Sequence, residues 1–311
     1  MALKDIKAKI GATNRTHKVT RAMEAVSAVK MRKTQATAFA GRPYARAALQ
    51  ILARLSGSPD LARHPLMKGF VNPSSDEGFT KPKLALVVIT SDKGLAGALN
   101  SSVIKAASDA VVGFTKSHIT VYAYGKKGHE FFARRGYTIA KYWENKKDEV
   151  EHSVMEELAL ELGKGFIQGD YDQVLVAYSN FKSTFEQAPT IRTLLPLSVE
   201  NVRQLVEDIV PEKGFKAAPR THEATPAYTI EPEGADVLGA LVPRLVAISL
   251  YHMLLEAKAS EHSARMVAMK NASDKSKEVA HDLTRLFNKI RQAAITREVS
   301  EIVGGREALS T

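Results

Sequence analysis

Residues 241–294 read LVPRLVAISLYHMLLEAKASEHSARMVAMKNASDKSKEVAHDLTRLFNKIRQAA, and this stretch decides the fold. Alternating steps of four and three from Leu241 land on Leu245, Ile248, His252, Leu255, Ala259, His262, Met266, Met269, Ser273, Ser276, Ala280, Leu283, Phe287, Ile290 and Ala294. That is an unbroken heptad seam, the spacing that keeps one side of a helix facing a partner helix. Extended from Asp236 to Val303, the helix would be roughly 100 Å long at 1.5 Å per residue. Its own domain is not expected to bury such a length, so it needs a partner along it. The seam is apolar at both ends and diluted in the middle by His252, His262, Ser273 and Ser276. A coiled coil selected for stability alone would not use them.

The partner is expected at the other end of the chain. Residues 2–56 read as one helix, with an apolar stripe opened by Leu3, Ile6 and Ile10. Val19, Met23, Val26 and Val29 continue it, and Tyr44, Ala48, Ile51 and Leu55 close it. Pro43 is expected to kink this helix rather than end it. The helix is strongly basic: residues 1–56 hold twelve Lys and Arg against Asp5 and Glu24, a net +10 equal to that of the whole chain. A basic rod implies an acidic partner, whether nucleic acid, lipid surface or protein.

Between the two helices the period changes. Strands are expected at Leu84–Thr90, Ile119–Tyr124, Tyr137–Lys141 and Val174–Tyr178, with an edge strand at Thr190–Leu197. Helices are expected at Ala98–Phe114, Lys127–Arg135 and Glu149–Ile167. This alternation predicts a mostly parallel, Rossmann-like α/β domain inserted between the arms of a long antiparallel coiled coil. The domain reading is 1–56 N-terminal helix, 57–82 linker, 83–200 α/β domain, 201–234 loop or foot segment, 235–303 C-terminal helix and 304–311 tail. A head at one end of a stalk, with the chain termini at the other, is the simplest arrangement. Pro243 is placed in the first turn of the last helix or at a kink near its base.

Few chemistries survive. The chain has no cysteine, which removes disulfides, thiolate metal sites and thiol catalysis. No run is read as approaching the ~20 apolar residues of a membrane-spanning helix. Gly94-Leu-Ala-Gly97 follows a strand and precedes a helix, where a phosphate cradle would sit, but it lacks a third glycine and a following Lys-Ser/Thr. A tight turn is the more economical reading, with Asp92 and Lys93 as a cap or ion pair. His252 and His262 lie ten apart, not four, so they are assigned to seam or surface rather than to a metal. Glu256 and Glu261 are read as partners of Lys258 and Arg265. Lys30-Met-Arg-Lys33 is a solvated face or a dock for acidic side chains.

The segments Lys4-Asp-Ile-Lys, Thr20-Arg-Ala-Met-Glu, Lys30-Met-Arg-Lys, Arg42-Pro-Tyr, Ile89-Thr-Ser-Asp-Lys-Gly-Leu-Ala-Gly, Ser260-Glu-His-Ser-Ala-Arg-Met and Arg291-Gln-Ala-Ala-Ile-Thr-Arg-Glu-Val-Ser-Glu-Ile-Val resemble the gamma subunit of rotary F-type ATP synthase over essentially the full length. Arg306 departs from the small residue usual after Gly305. The resemblance implies a non-catalytic shaft turned by a ring of membrane subunits inside alternating alpha and beta subunits. It implies no cofactor on this chain, with ATP, ADP and Mg on the partner subunits. Met23, Lys30, Arg32 and Lys33 would face acidic loops of the beta subunits; Arg291, Gln292, Thr296 and Glu298 would meet the beta catch region. Tyr228 and Glu231 would belong to the foot on the c-ring, although Ile230 replaces a family tyrosine. The epsilon subunit is a further implied partner. Nucleic acid and direct membrane insertion are not expected. The implied place is the cytoplasmic face of a bacterial plasma membrane, with the mitochondrial matrix side as the alternative. A nucleic-acid-binding coiled coil and a nucleotide-binding enzyme built on the central domain are the competing classes.

Overall fold

The computed structural model describes residues 3–40, 47, 63–68, 82–146, 150, 152–198, 200 and 234–308. It divides into two units: Met1–Ala28 with Arg265–Thr311, and Val29–Ala264. The expected kink at Pro43, the closing positions Tyr44, Ala48, Ile51 and Leu55, and most of the 57–82 and 201–234 segments lie outside the described residues.

The second unit contains a five-stranded sheet ordered β3-β2-β1-β4-β5 among the described residues, with β1 at Leu84–Ile89, β2 at Ile119–Tyr124, β3 at Thr138–Trp143, β4 at Gln173–Phe181 and β5 at Gln187–Leu195. The first four strands run parallel; β5 pairs antiparallel with β4 and forms the edge. Pro189 sits on that edge strand, where its missing N–H breaks no interior ladder. β1 is buried at all six residues, as a continuous apolar run flanked by parallel neighbours should be.

Helices cover both faces. On one face α2 (Leu99–Ala110) and α3 (Lys126–Arg134) pack Val103, Ala107 and Phe132 on Leu84, Leu86, Val88 and Val121. On the other, α4 (His152–Gln168) and the start of α5 (Gly234–Ala308) cover Ala85, Val87, Val174, Val176 and Tyr178. Gly125 is required where β2 turns into α3. Its φ is 106°, and an added Cβ would lie 2.0 Å from the Thr90 carbonyl oxygen.

The position of α5 in this core corrects two expectations. From Leu245 to Leu250 every residue is buried, so the helix is covered on all sides there and not along a seam alone. The same stretch makes α5 long and apolar enough to cross a membrane, contrary to the reading that no run approaches that length. More than half of the apolar window is buried in the protein, which marks the core helix of a domain. Pro243 lies within the helix, past its first turn, and the helix continues through it.

In the first unit the heptad reading of α5 holds residue by residue. From Ser273 to Ser300 the only positions not exposed are Ser273, Ser276, Ala280, Leu283, Phe287, Ile290 and Ala294, all on the seam. In α1 (Leu3–Ala40) the phase differs from the expected stripe. Ile6 is fully buried, but Val19, Val26 and Val29 are 58%, 54% and 66% exposed. The buried line runs through Thr20, Ser27, Met31 and Thr34 instead. It keeps the three-four spacing set by Leu3, Ile6 and Ile10, and polar residues occupy it where the register demands. Thr20 and Thr34 donate their hydroxyls to the carbonyls of Thr16 and Lys30, 2.9 and 3.0 Å away, so burial leaves neither donor unmet.

Candidate functional site

Two buried polar clusters bond α5 to the sheet within the second unit. The first is built on the loop after β1. The Asp92 carboxylate accepts the Lys126 N–H at 2.7 Å through Oδ1 and the Asn145 N–H at 2.8 Å through Oδ2. It thereby caps α3 from a distant loop and ties that cap to the end of β3. The Asn145 amide donates to the Thr90 carbonyl at 2.7 Å, and Lys258 Nζ of α5 donates to the Asn145 carbonyl at 3.3 Å. Asn145 and Lys258 are both buried. Asp92 is therefore the polar cap expected of it. The Gly94–Gly97 segment forms a turn in which Leu95 and Gly97 take φ of 64° and 58°. Ser91 and Asn100 hold it closed, the Ser91 N–H donating to Asn100 Oδ1 at 3.0 Å.

The second cluster overlaps the first along α5, running from Glu256 to Ser263 on a different face of the helix from Lys258. Arg192 Nε donates to the Tyr178 hydroxyl at 2.7 Å, and that hydroxyl hydrogen-bonds to Glu256. Glu256 Oε2 is buried without a hydrogen-bond partner. Burial raises the Glu256 carboxyl to about 7; the Arg192 charge and the Tyr178 hydrogen bond oppose it. Tyr178 is itself raised, first by burial and then by the Glu256 charge. Ser260 donates to the Ser179 carbonyl at 2.9 Å, and Ser263 to the Thr184 carbonyl at 2.6 Å. Glu256, Ser260 and Ser263 are spaced i, i+4, i+7 and so share one helix face. The expected pairing of Glu256 with Lys258 is corrected: residues two apart point in different directions, and each meets a different part of the domain.

In the first unit His17 Nδ1 lies 3.0 Å from both the carbonyl and the hydroxyl of Ser273, joining α1 to α5 across the polar middle of the seam. Of the residues singled out in the sequence, Met23 and Lys30 are half-buried, whereas Arg32 and Lys33 are exposed. Arg291, Gln292, Thr296 and Glu298 are all exposed on α5, and Thr296 spends its hydroxyl on the Gln292 carbonyl at 3.0 Å. Beyond them Ile295, Val299, Ile302 and Val303 leave more than half of their surface open. Tyr228 and Glu231 lie outside the described residues. His252 and His262 are buried. Among the described residues no group of three or more His, Asp and Glu is placed to hold a metal ion.

A family model described as ATP synthase matches residues 2–309. The chain is 38% identical to the ATP synthase gamma chain of Roseiflexus castenholzii over 318 residues, covering 99% of this chain and 98% of that one. The chain belongs to the ATP synthase gamma chain family. The gamma chain of Pelotomaculum thermopropionicum is 36% identical, with 99% of each chain covered. Among solved structures, the central stalk and c-ring of the Tetrahymena thermophila mitochondrial ATP synthase contains a chain that is 25% identical. It aligns with a TM-score of 0.54 over 82% of this chain and 99% of that one. A chain of the Euglena gracilis mitochondrial enzyme, 17% identical, aligns with a TM-score of 0.60 over 99% and 94% and shares the fold.

Sequence reasoning missed Asn145, Tyr178, Arg192 and the roles of Glu256 and Lys258. The available signal was polar residues at i, i+4 and i+7 directly after a helix stretch that is apolar all round. Buried polar groups of that kind need partners.

Proposed function

We propose that this chain is the central shaft of a rotary ATP synthase and makes or breaks no bond itself. It passes torque between a proton-driven membrane ring and a catalytic hexamer of alpha and beta subunits. ATP, ADP and Mg reside on those partner subunits, and no cofactor is assigned to this chain. The observation that carries this reading is the buried polar clasp on α5, in which Glu256, Lys258, Ser260 and Ser263 are each bonded to the α/β domain. Apolar packing alone is non-directional, whereas hydrogen bonds of fixed geometry resist rotation of a helix about its axis. A shaft needs that resistance where it joins its drive.

The outer surface supports the same reading. From Ser273 to Ser300 α5 leaves only its seam positions covered, and α1 turns basic residues and three valines outward. Many modest contacts let a shaft pass successive subunits, where one deep apolar interface would hold a single state and stall it. In this reading Met23, Lys30, Arg32 and Lys33 face acidic loops of the beta subunits. Arg291, Gln292, Thr296 and Glu298 meet the beta catch region. Tyr228 and Glu231 serve the foot on the c-ring, the epsilon subunit binds the stalk, and the complex lies on the cytoplasmic face of a bacterial plasma membrane.

Co-expression with the alpha and beta subunits of the same source tests the proposal. A complex whose ATPase activity requires this chain is expected; equal activity from alpha and beta alone would overturn it.

A further inference from the structure

A groove of about 510 Å³ runs between α2 and α3 on the sheet face opposite α5. Ile104 and Phe131 give it an apolar, half-buried floor. Lys105, Lys127, Arg134 and Arg135 stand exposed around it. Four other lysines of this domain do find carboxylates: Lys126 pairs with Glu130, Lys141 with Glu157 and Glu161, Lys146 with Glu144, and Lys182 with Glu186. Among the described residues no carboxylate pairs with Lys105, Lys127 or Arg134. The one carboxylate in the groove, Glu130, is already engaged by Lys126 at 3.7 Å. The Arg135 guanidinium lies 3.5 Å from the Phe131 ring centre, which orients it beside the apolar floor.

We propose that this groove docks an acidic segment of another subunit of the same complex, with one apolar side chain seated between Ile104 and Phe131 and carboxylates on either side. The spread of charge selects a chain segment over a small anion. Lys127 and Arg135 are separated by about 12 Å along α3, and Lys105 stands on the facing helix. A single phosphate would engage one end of that array and leave the apolar floor empty. A segment with apolar and acidic side chains at helical or strand spacing satisfies both. Unpaired cations on a rim contribute orientation and rate of association, while the seated side chain contributes affinity.

The proposal rests on the rotor reading in one respect, that the partner belongs to the same complex. The test places a photoreactive phenylalanine at Ser101, an exposed residue lining the groove, in the full complex purified from membranes. The same probe at Leu160, exposed on α4, serves as control. One adduct to a carboxylate-containing peptide of another subunit is expected at Ser101 and not at Leu160. The triple variant K105E/K127E/R134E is expected to lower its yield about tenfold, since three attractive rim charges become repulsive. An assembled complex with no protein adduct, an adduct only to lipid, an adduct to a peptide without carboxylates, or one undiminished in the triple variant would overturn the docking site alone. Loss of alpha and beta from the purified complex in both probe-bearing forms and in the unmodified chain would overturn the rotor reading, and the docking site with it.

Discussion

The Tyr178 hydroxyl stands between Arg192 and Glu256, accepting from the guanidinium at 2.7 Å and bonding to the carboxyl of α5. One phenol thereby couples the edge strand, the strand beside it and the long helix. Its neighbour Glu256 keeps a second oxygen buried without a hydrogen-bond partner, so the cluster is held together without being fully satisfied.

Glu256 makes stability depend on pH in a defined direction. Its carboxyl is raised from 4.5 to about 7, chiefly by burial. Between those values the folded chain binds more protons than the unfolded one, so stability falls as pH rises through this window. The contribution is complete below 4.5 and lost above about 7. At 1.36 kcal/mol per unit, the swing is about 3 kcal/mol. Glu256→Gln, neutral at every pH, removes it. Thermal melts from pH 5 to pH 8 should show the wild type losing ground steadily to this variant. Parallel curves for the two proteins would contradict the assignment.

Tyr178→Phe keeps the ring and deletes the link. Arg192 loses an acceptor and Glu256 a donor within the core, a cost of about 1–3 kcal/mol. Since that hydrogen bond holds the Glu256 carboxyl down, its loss also moves the pH transition upward. A lower melting temperature together with an upward-shifted pH midpoint is expected. A simple cavity would lower the first without moving the second.

Asp92→Asn tests the other joint. The carboxylate accepts two backbone N–H groups, one through each oxygen. An asparagine presents one oxygen and one NH2, so a donor must face a donor. Hydrogen exchange at the amides of Lys126 and Asn145 should accelerate, while amides of α4, packed on the opposite face of the sheet, keep wild-type protection. Unchanged exchange at both amides is the result that counts against this joint.

The alternation of strands and helices was legible because each element carries its own period. The seam from Ser273 to Ala294 was legible because residues on a single exposed helix need only one phase. The phase of α1 was not. Val19, Val26 and Val29 are more apolar than Thr20 and Thr34, yet the partner helix fixes the register and the two threonine hydroxyls close on their own backbone. Hydrophobicity ranks residues, whereas register assigns faces. The clasp was hidden for another reason. Asn145, Tyr178, Arg192 and Glu256 come from separate elements, and only the packed sheet brings them to one place. Likewise, β5 was expected on the edge, but its antiparallel direction depends on the short turn at Ser183–Glu186.

The basic face of α1 carries the last prediction. Arg32 and Lys33 are exposed and sit between the buried positions Met31 and Thr34, so reversing their charge leaves the seam intact. Two exposed charges contribute about 1 kcal/mol or less each to the fold, so Arg32→Glu with Lys33→Glu should assemble normally. Against an acidic partner surface the same change replaces attraction with repulsion, and that surface is met anew at each step of rotation. Proton-driven ATP synthesis in membrane vesicles should therefore fall several-fold while subunit stoichiometry stays at the wild-type value. The loss should be larger at low salt, because screening at high ionic strength weakens the introduced repulsion. Synthesis at the wild-type rate in both salts would remove Arg32 and Lys33 from the bearing surface.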